Sequence, residues 1–232
     1  MIKKIVVLFT VCTYLLTACS VKTTKSANAN ANMEFGHQNG KSLYWHIVGD
    51  DGDHYILLSE KVLDVKNYDD KENVSEFTGS TLYEYLNSDF INSTFSNDER
   101  DKLVFISGEG SALVTLPSTN NLLDLYGSMN YVKDGYYNSK DYFAANDKII
   151  AKPTDLAIYN EIDPFDNEVF AEILQTDVDT RYNFANGNVP YWLLNVDKET
   201  GYPLYVTPTG YVGKTEANTG YIGIRPMIRI KK

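Results

Sequence analysis

The run Ile222-Gly223-Ile224-Arg225-Pro226-Met227-Ile228-Arg229-Ile230, close to the C-terminus, is the stretch that decides the fold. Isoleucines alternate with other residues along it, which is the period-two pattern of a β-strand with one buried face. Pro226 cannot donate to a backbone ladder, so we expect this strand to lie at a sheet edge or to carry a bulge there. Together with two further predicted strands, residues 191–194 and 202–207, it closes a sheet.

Three residues of this closing region are candidates for more than packing. Trp192 fits either a core position, which the strand pattern favours, or a ligand-binding position, because an indole combines an apolar ring with a polar N–H. We keep Trp192 and Asn195 as candidate ligand-binding residues. Arg225 is interpreted as a brace for a neighbouring loop.

The composition bounds the class of protein. The chain has 232 residues, 43% of them hydrophobic, which is enough for one sizeable core and allows one or two domains. Its formal net charge of −10 argues against nucleic acid as a partner, because an acidic protein does not displace counterions from phosphates. The 18 tyrosines suit both strands and adhesive surfaces.

The residue types that most catalytic and metal sites need are scarce. The only cysteines, Cys12 and Cys19, lie near the N-terminus, so the rest of the chain has no disulfide, thiolate zinc site or cysteine nucleophile. The three histidines, His37, His46 and His54, fall in one short segment, and no further ligand has metal spacing. We therefore predict no catalytic residue, no metal site and no cofactor.

The N-terminus carries targeting information. Lys3 and Lys4 precede an apolar segment, residues 5–16, that is too short to span a bilayer comfortably. Leu16-Thr17-Ala18-Cys19 resembles the lipobox of bacterial lipoproteins, in which the cysteine becomes the diacylated N-terminus of the mature protein. An ordinary signal peptide with an incidental cysteine is the alternative.

These features predict the domain organisation and the location. We expect a lipoprotein signal peptide over residues 1–18, lipidation of Cys19, and a flexible tether over residues 19–38, which are rich in Ser, Lys, Thr, Asn and Ala. Residues 39–232 are expected to form a single extracellular domain. The protein is then held to a membrane of the bacterial cell envelope by its lipid and faces outward.

The domain begins with a predicted β-hairpin. Residues 43–48 and 55–59 have strand composition and flank the turn Gly49-Asp50-Asp51-Gly52-Asp53. This turn is rich in carboxylates but lacks the spacing of an EF-hand calcium loop. The hairpin is expected to bring His46 and His54 near each other.

Three helices are predicted from capping signals. Thr81 and Glu84 form a capping box before a near-helical apolar pattern, and Ser96 and Glu99 repeat that signature before a short charged helix. Ser118 is expected to cap a third helix. These side chains are structural, because they satisfy backbone N–H groups.

Two loops offer candidate functional residues. Residues 127–150 hold Tyr131, Tyr136 and Tyr137, which are candidate ligand-binding residues if this segment is a binding surface. A loop that wraps the core is the equal alternative.

The second is acidic. Asp163, Asp166 and Glu168 lie close together, and a pair of carboxylates is what glycoside hydrolysis needs, but nothing in the sequence singles out two partners.

Several segments in order resemble the DUF6273 family of bacterial extracellular domains, whose function is uncharacterised. They are Tyr44-Trp45-His46-Ile47-Val48, Ile56-Leu57-Leu58-Ser59, Ser80-Thr81-Leu82-Tyr83-Glu84-Tyr85-Leu86-Asn87 with Phe90, Phe95-Ser96-Asn97-Asp98-Glu99, Thr154 with Ala157, Tyr191-Trp192-Leu193, Gly210, and Gly223-Ile224-Arg225-Pro226. The resemblance spans residues 42–230.

This resemblance implies an α+β domain related to the C-type-lectin-like fold, with a mixed, mainly antiparallel sheet, two or three helices and long loops. The chain departs from the family where Leu194 and Asn195 stand in place of a common Arg-Ser pair. The Glu-Pro-Asn and Gln-Pro-Asp motifs of calcium-dependent lectins are absent, so calcium-dependent sugar binding is not implied.

The function expected from these observations is a non-catalytic binding domain for a glycan or protein ligand, displayed on a lipid-anchored protein. The alternatives are a structural component of an envelope assembly and a carboxylate-based hydrolase. No nucleic acid partner is expected.

Overall fold

The structure is a computed structural model that describes residues 32–106, 112–127, 129–131, 149–160, 187–208 and 210–232. Within these residues the chain has an α+β fold, as the sequence predicts, with two mostly antiparallel sheets and a few short helices. No helix of the described residues is long and apolar enough to cross a membrane.

The secondary structure elements are labelled in chain order. The strands are β1 (Asn32–Gln38), β2 (Lys41–Asp50), β3 (His54–Ser59), β4 (Asp64–Val65), β5 (Leu103–Val104), β6 (Val114–Thr115), β7 (Asn130–Tyr131), β8 (Tyr191–Val196), β9 (Pro203–Val206), β10 (Tyr211–Lys214), β11 (Gly223–Ile224) and β12 (Met227–Lys231). The α-helices are α1 (Thr81–Asn87), α2 (Asp89–Thr94), α3 (Asn97–Arg100), α4 (Thr119–Tyr126) and α5 (Asp155–Tyr159).

The strands form two sheets. Sheet 1 has the order β1-β2-β3-β12-β5, with β6 also paired to β12, and its pairs are antiparallel. Sheet 2 has the order β4-β11-β8-β9-β10-β7, in which β11 with β8 and β10 with β7 are parallel. The prediction of a mixed, mainly antiparallel arrangement is confirmed.

The run of residues 222–230 belongs to both sheets. It was expected to be one strand, but it forms β11 in sheet 2 and β12 in sheet 1. Pro226 lies between them, and its carbonyl accepts a hydrogen bond from Ser59 N at 2.9 Å. The predicted edge position or bulge is therefore wrong, because β11 and β12 each have a neighbouring strand on both sides. The proline, which cannot donate to a ladder, instead divides the run at the point where the chain changes sheet.

Strand β8 is covered on both faces. Tyr191 and Leu193 pack in a core cluster that includes residues of α4 and α5, while Trp192 and Leu194 pack in the larger cluster with α1 and α2. Successive side chains of a strand point to opposite faces, so one strand separates two cores. This is why four apolar residues follow one another here without polar interruption.

Residues 32–38, which we expected to belong to the tether, form β1 and pair with β2. Phe35 is buried, and its ring lies 5.3 Å from the ring of Phe95. A single buried aromatic residue in a polar segment is too little pattern to predict a strand. Residues 19–31 lie outside the described part of the chain.

The predicted caps are close to the observed ones. Ser96 and Glu99 form the expected capping box of α3, and Ser118 caps α4. Helix α1 is capped by Ser80, one residue before the predicted Thr81, and the hydroxyl of Ser80 accepts from Tyr83 N at 3.1 Å. Capping depends on bonds within one turn, which is why sequence locates these helix starts.

The predicted β2–β3 hairpin is confirmed, but the expected closeness of His46 and His54 is wrong. His46 pairs with Leu58 across the hairpin, whereas His54 lies at the turn with its Nδ1 3.0 Å from Asp51 Oδ1. The register places the two imidazoles several residues apart along the strands.

Candidate binding cleft

The candidate site begins at the β1–β2 turn. Asn39 and Gly40 connect Gln38 to Lys41, and both have positive φ angles, 51° and 74°. Two residues with positive φ form the tight hairpin turn that matches the twist of the flanking strands, and Asn-Gly is the sequence that adopts it most readily. The turn brings Gln38 and Lys41 side by side at the end of sheet 1.

Strand β2 then separates buried from outward-facing side chains. Leu43 and Trp45 are buried, whereas Ser42 is half-buried and Tyr44 is 47% exposed. The indole N–H of Trp45 donates to the Phe35 carbonyl at 2.7 Å, which fixes the strand from the core side. Tyr44 is thereby held on the outer face of the hairpin.

The end of β3 lies against this outer face. The backbone N–H of Glu60 donates to the Tyr44 carbonyl at 2.9 Å, and Leu63 N donates to the Ile224 carbonyl at 2.8 Å. Residues 60–63 therefore join sheet 1 to sheet 2. The carboxylate of Glu60 is half-buried and makes no hydrogen bond or ion pair with the described residues.

Helix α5 completes the site from the other side. Thr154 is its N-cap, accepting from Ala157 N at 3.3 Å. The same hydroxyl lies 2.9 Å from the Leu63 carbonyl and 3.3 Å from Gln38 Oε1, so it links the helix to both other parts of the site.

These three parts enclose a cleft of about 620 Å³. We call it the hairpin cleft and define it by the residues lining it from the β1–β2 turn, residues 60–63 and the start of α5. Buried Leu43 and Leu63 contribute apolar surface. Its volume lies within the range that is typical of small-molecule sites.

An ion pair spans the cleft. Lys41 Nζ donates to Asp155 Oδ2, and both side chains are mostly exposed. The bond from Lys41 holds the pKa of the Asp155 carboxyl below its ordinary value. A pair so exposed contributes little to stability, because water and salt screen it. It can therefore open for a ligand at small cost.

The protonation state of His46, which interacts with Glu60 of the cleft, follows from its surroundings. Burial lowers the pKa of His46, the charge of Arg225 lowers it further, and Glu60 opposes both. His46 is therefore the uncharged imidazole at neutral pH.

Arg225 acts from inside the protein. It is buried, and its Nε donates to the Ser59 carbonyl at 3.0 Å while Nη1 donates to the Ile149 carbonyl at 3.1 Å. Its guanidinium also lies 5.3 Å from the ring of Tyr191. The interpretation of Arg225 as a brace agrees with these contacts, which join the end of β3 to the segment that leads into α5.

The structure corrects the placement of Trp192 as a ligand-binding residue. Its side chain is fully buried, its N–H donates to the Lys66 carbonyl at 2.8 Å, and its ring packs edge-on against Tyr68 and Tyr205. A ligand has no access to a ring that is enclosed in this way, so the core interpretation is the correct one.

Asn195 is half-buried and has a structural contact. Its Oδ1 accepts from the backbone N–H of Thr119, the first residue of α4, at 2.7 Å. The side chain thus satisfies one of the N–H groups that a helix start leaves without an internal partner.

The remaining candidates are not brought together here. Tyr131 lies in β7, whose side chains are not described. Tyr136, Tyr137, Cys19 and the acidic loop with Asp163, Asp166 and Glu168 lie outside the described residues. Among the residues that are described, no group of three His, Cys, Asp or Glu side chains has the arrangement of a metal site.

The amino-acid sequence predicts only one part of the hairpin cleft, the β1–β2 turn. Asn39-Gly40 is a strong hairpin signal, and it would have placed Gln38 and Lys41 together. No local signal connects this turn to Thr154, which is 116 residues away from Gln38.

A smaller cavity of about 240 Å³ lies elsewhere, between sheet 1 and α4. Thr115 and Met227, paired across β6 and β12, line it together with Leu194. The hydroxyl of Thr115 has no hydrogen-bond partner among the described residues. We assign the candidate site to the larger hairpin cleft.

Comparison with known proteins gives a family match. The model of the family described as "Domain of unknown function (DUF6273)" matches residues 52–232. No curated protein and no solved structure matches the chain. The match includes residues 60–63 and the start of α5, whereas the β1–β2 turn and Tyr44 precede it.

Proposed function

The chain belongs to the DUF6273 family, and we propose that it is a lipid-anchored protein of the bacterial envelope whose domain binds a glycan or protein ligand without transforming it. The observation that carries the proposal is the hairpin cleft. It combines an exposed tyrosine ring with amide, hydroxyl and carboxylate groups around one volume of ligand size.

The anchor is supported by the sequence of the N-terminus. A short apolar segment leads into Leu16-Thr17-Ala18-Cys19, and diacylation of Cys19 supplies more than one acyl chain, which is what stable membrane attachment requires. The C-type-lectin-like relationship remains part of this proposal and rests on the residue pattern described above.

The position of the hairpin cleft suits an outward-facing protein. Strand β1 begins at Asn32, where the tether would enter, and its seven residues extend roughly 20 Å to the β1–β2 turn. The cleft therefore lies at the opposite end of β1 from the tether, accessible to a ligand outside the membrane.

The anchor is tested by replacing each cysteine separately in the full chain. Cys19→Ser is expected to abolish incorporation of an alkyne-labelled fatty acid, while Cys12→Ser, the matched control in the same segment, is expected to retain it. Equal labelling of the two variants, or no labelling of the unmodified chain in its own cells, overturns the lipoprotein assignment.

Binding is tested by co-sedimentation of the full chain with insoluble envelope material, in a detergent that has no sugar headgroup. Tyr44→Ala is expected to weaken binding about tenfold. Phe105→Ala is the control, because Phe105 is 61% exposed but does not line the cleft. Binding that is unchanged in Tyr44→Ala, or absent from the unmodified chain, contradicts the proposal.

A further inference from the structure

The charges that line the hairpin cleft cancel. Lys41 and Lys61 are matched by Glu60 and Asp155, and one cation and one anion of this set already form a pair. A site for an anionic or cationic ligand focuses charge of the opposite sign, and the described residues that line this cleft have no excess of either. The charge balance therefore disfavours a strongly charged ligand.

The cleft is rich in neutral groups that both donate and accept hydrogen bonds. Gln38 and Asn39 contribute side-chain amides. The hydroxyls of Ser42 and Thr154 already donate to Glu34 Oε1 and to the Leu63 carbonyl, so they offer a ligand their remaining acceptor positions. The Asn39 side chain makes no hydrogen bond with the described part of the chain. These groups match a ligand whose own groups also donate and accept, as hydroxyls do.

Tyr44 adds a flat apolar surface beside them. Its side chain is 47% exposed on the outer face of β2, and it borders the cleft. A tyrosine ring covers apolar C–H surface while its hydroxyl stays hydrated. The combination suits a molecule that presents hydroxyls around its edge and C–H groups on its face.

Glu60 is the carboxylate that such a ligand would use. It is half-buried in the cleft and makes no hydrogen bond or ion pair with the described residues. An ionised carboxylate has several acceptor positions, and a bond to a charged acceptor is stronger than one between neutral groups. Hydroxyl donors from the ligand satisfy it without bringing a second charge.

From this arrangement we infer that the ligand of the hairpin cleft is a short, uncharged oligosaccharide segment. The inference rests on the proposed binding function and specifies the chemistry of its ligand. Tyr44 packs on a sugar face, Glu60 accepts from sugar hydroxyls, and the amides of Gln38 and Asn39 bond the remaining hydroxyls.

The test is calorimetric titration of the full chain, in a detergent without a sugar headgroup, with three sets of soluble oligosaccharides: neutral, carboxylated and amine-bearing. We expect binding within the neutral set, and a dissociation constant that changes less than about twofold between about 50 mM and about 500 mM NaCl, because screening acts on charges. Short envelope-derived peptides form a fourth set.

Variants connect the binding to the cleft. Tyr44→Ala is expected to weaken the neutral oligosaccharide about tenfold, and Phe105→Ala to leave its affinity unchanged. Thermal unfolding of each variant shows whether a loss of affinity is only a loss of folding.

The outcomes separate this inference from the proposed function. Tyr44-dependent binding of a carboxylated or amine-bearing sugar, or of a peptide, overturns the neutral-oligosaccharide assignment and keeps a binding function. Binding to none of the four sets, while Tyr44-dependent sedimentation with envelope material persists, also overturns the assignment alone. Loss of Tyr44 dependence in both experiments overturns both.

Discussion

The dipeptide Tyr-Trp occurs twice on strands of this protein, and the two copies differ in the exposure of their tyrosines. In β2 it is Tyr44-Trp45, and in β8 it is Tyr191-Trp192. Both tryptophans are fully buried, and both donate their indole N–H to a backbone carbonyl, at 2.7 and 2.8 Å. The tyrosines differ, since Tyr44 is 47% exposed and Tyr191 is fully buried.

The two tyrosines differ in exposure because different elements cover the strand faces on which they lie. Tyr191 packs in a second core cluster with residues of α4 and α5, and its hydroxyl donates to the Ile149 carbonyl at 2.6 Å. Burial raises the pKa of that hydroxyl to about 12, although Arg225 opposes the rise. The outer face of β2 around Tyr44 instead borders the hairpin cleft. Strand alternation sorts two neighbouring residues to opposite faces, but it does not say which faces are covered.

Among the substitutions in the two Tyr-Trp pairs, removal of a tryptophan is expected to reduce stability the most. Trp192→Ala and Trp45→Ala are each expected to destabilise the protein by about 3–5 kcal/mol, because each deletes a fully buried indole and leaves a carbonyl without its donor. Urea unfolding followed by circular dichroism measures this. Trp→Phe at each position serves as the milder control. A loss below about 1 kcal/mol at Trp192 contradicts its placement in the core.

The difference between the tyrosines is tested by removing only the hydroxyl. Tyr191→Phe is expected to cost about 1–2 kcal/mol, because the Ile149 carbonyl loses a donor and Arg225 Nη1 loses a contact at 3.3 Å. Tyr44→Phe is the matched control and is expected to stay within about 0.5 kcal/mol of the unmodified protein. Equal effects in chemical denaturation would remove the distinction.

Asn195, also on β8, stabilises the start of helix α4 through its side-chain oxygen. Asn195→Ala is expected to cost about 1 kcal/mol, since Thr119 N loses its acceptor at the start of α4. Asn195→Asp keeps an oxygen at the same place and places negative charge near the helix start, so it is expected to retain most of the stability. If the two variants unfold at the same denaturant concentration, the oxygen is not the stabilising group.

Strand β1 of the β1–β2 hairpin is bonded by a titratable group, the carboxylate of Glu99. Glu99 Oε1 accepts from Gly36 N in β1 at 2.8 Å, and Oε2 accepts from the N–H and hydroxyl of Ser96. Burial acts to raise the pKa of the Glu99 carboxyl, but these hydrogen bonds outweigh it and hold the pKa below its ordinary value of 4.5.

Because the pKa of Glu99 is lower in the folded state than in the unfolded state, its contribution to the free energy of unfolding decreases on acidification. The contribution of Glu99 is fully present above its unfolded pKa and is lost as pH falls through the lower folded pKa. Glu99→Gln is expected to cost about 0.5–1 kcal/mol at about pH 7 and progressively less as the pH falls below about 4. Urea midpoints of both proteins across this range measure it. A difference that grows on acidification contradicts the assignment, and Asp98→Asn, one residue away, is the control.

Local signals account for the parts of the fold that were predicted correctly. The Ser96 and Ser118 caps depend on bonds within one helical turn, and the β2–β3 hairpin depends on one turn between two strand patterns. The run of residues 222–230 was recognised as extended, but its division between two sheets was not. That division depends on Ser59 and on strands far away in the chain.

The candidate site was the least predictable part for the same reason. An indole, which combines an apolar ring with a polar N–H, suits a ligand-binding position, yet Trp192 lies in the core. Tyr44 lines the cleft although, like the buried Tyr191, it directly precedes a tryptophan on a strand. The cleft joins residues 38–44, 60–63 and 154–156, and only the packing of the two sheets brings these segments together.

The amino-acid sequence by itself determined the α+β class, the capped helix starts, the strand character of the closing region and the membership in a family of unknown function. The tertiary structure alone decided which tyrosine of the two Tyr-Trp pairs meets solvent, where the last strand changes sheet, and that a cleft forms beside Tyr44. The physical reason is range. Backbone preferences, caps and side-chain alternation act over a few residues, whereas burial depends on what covers a face, and the covering elements come from distant parts of the chain.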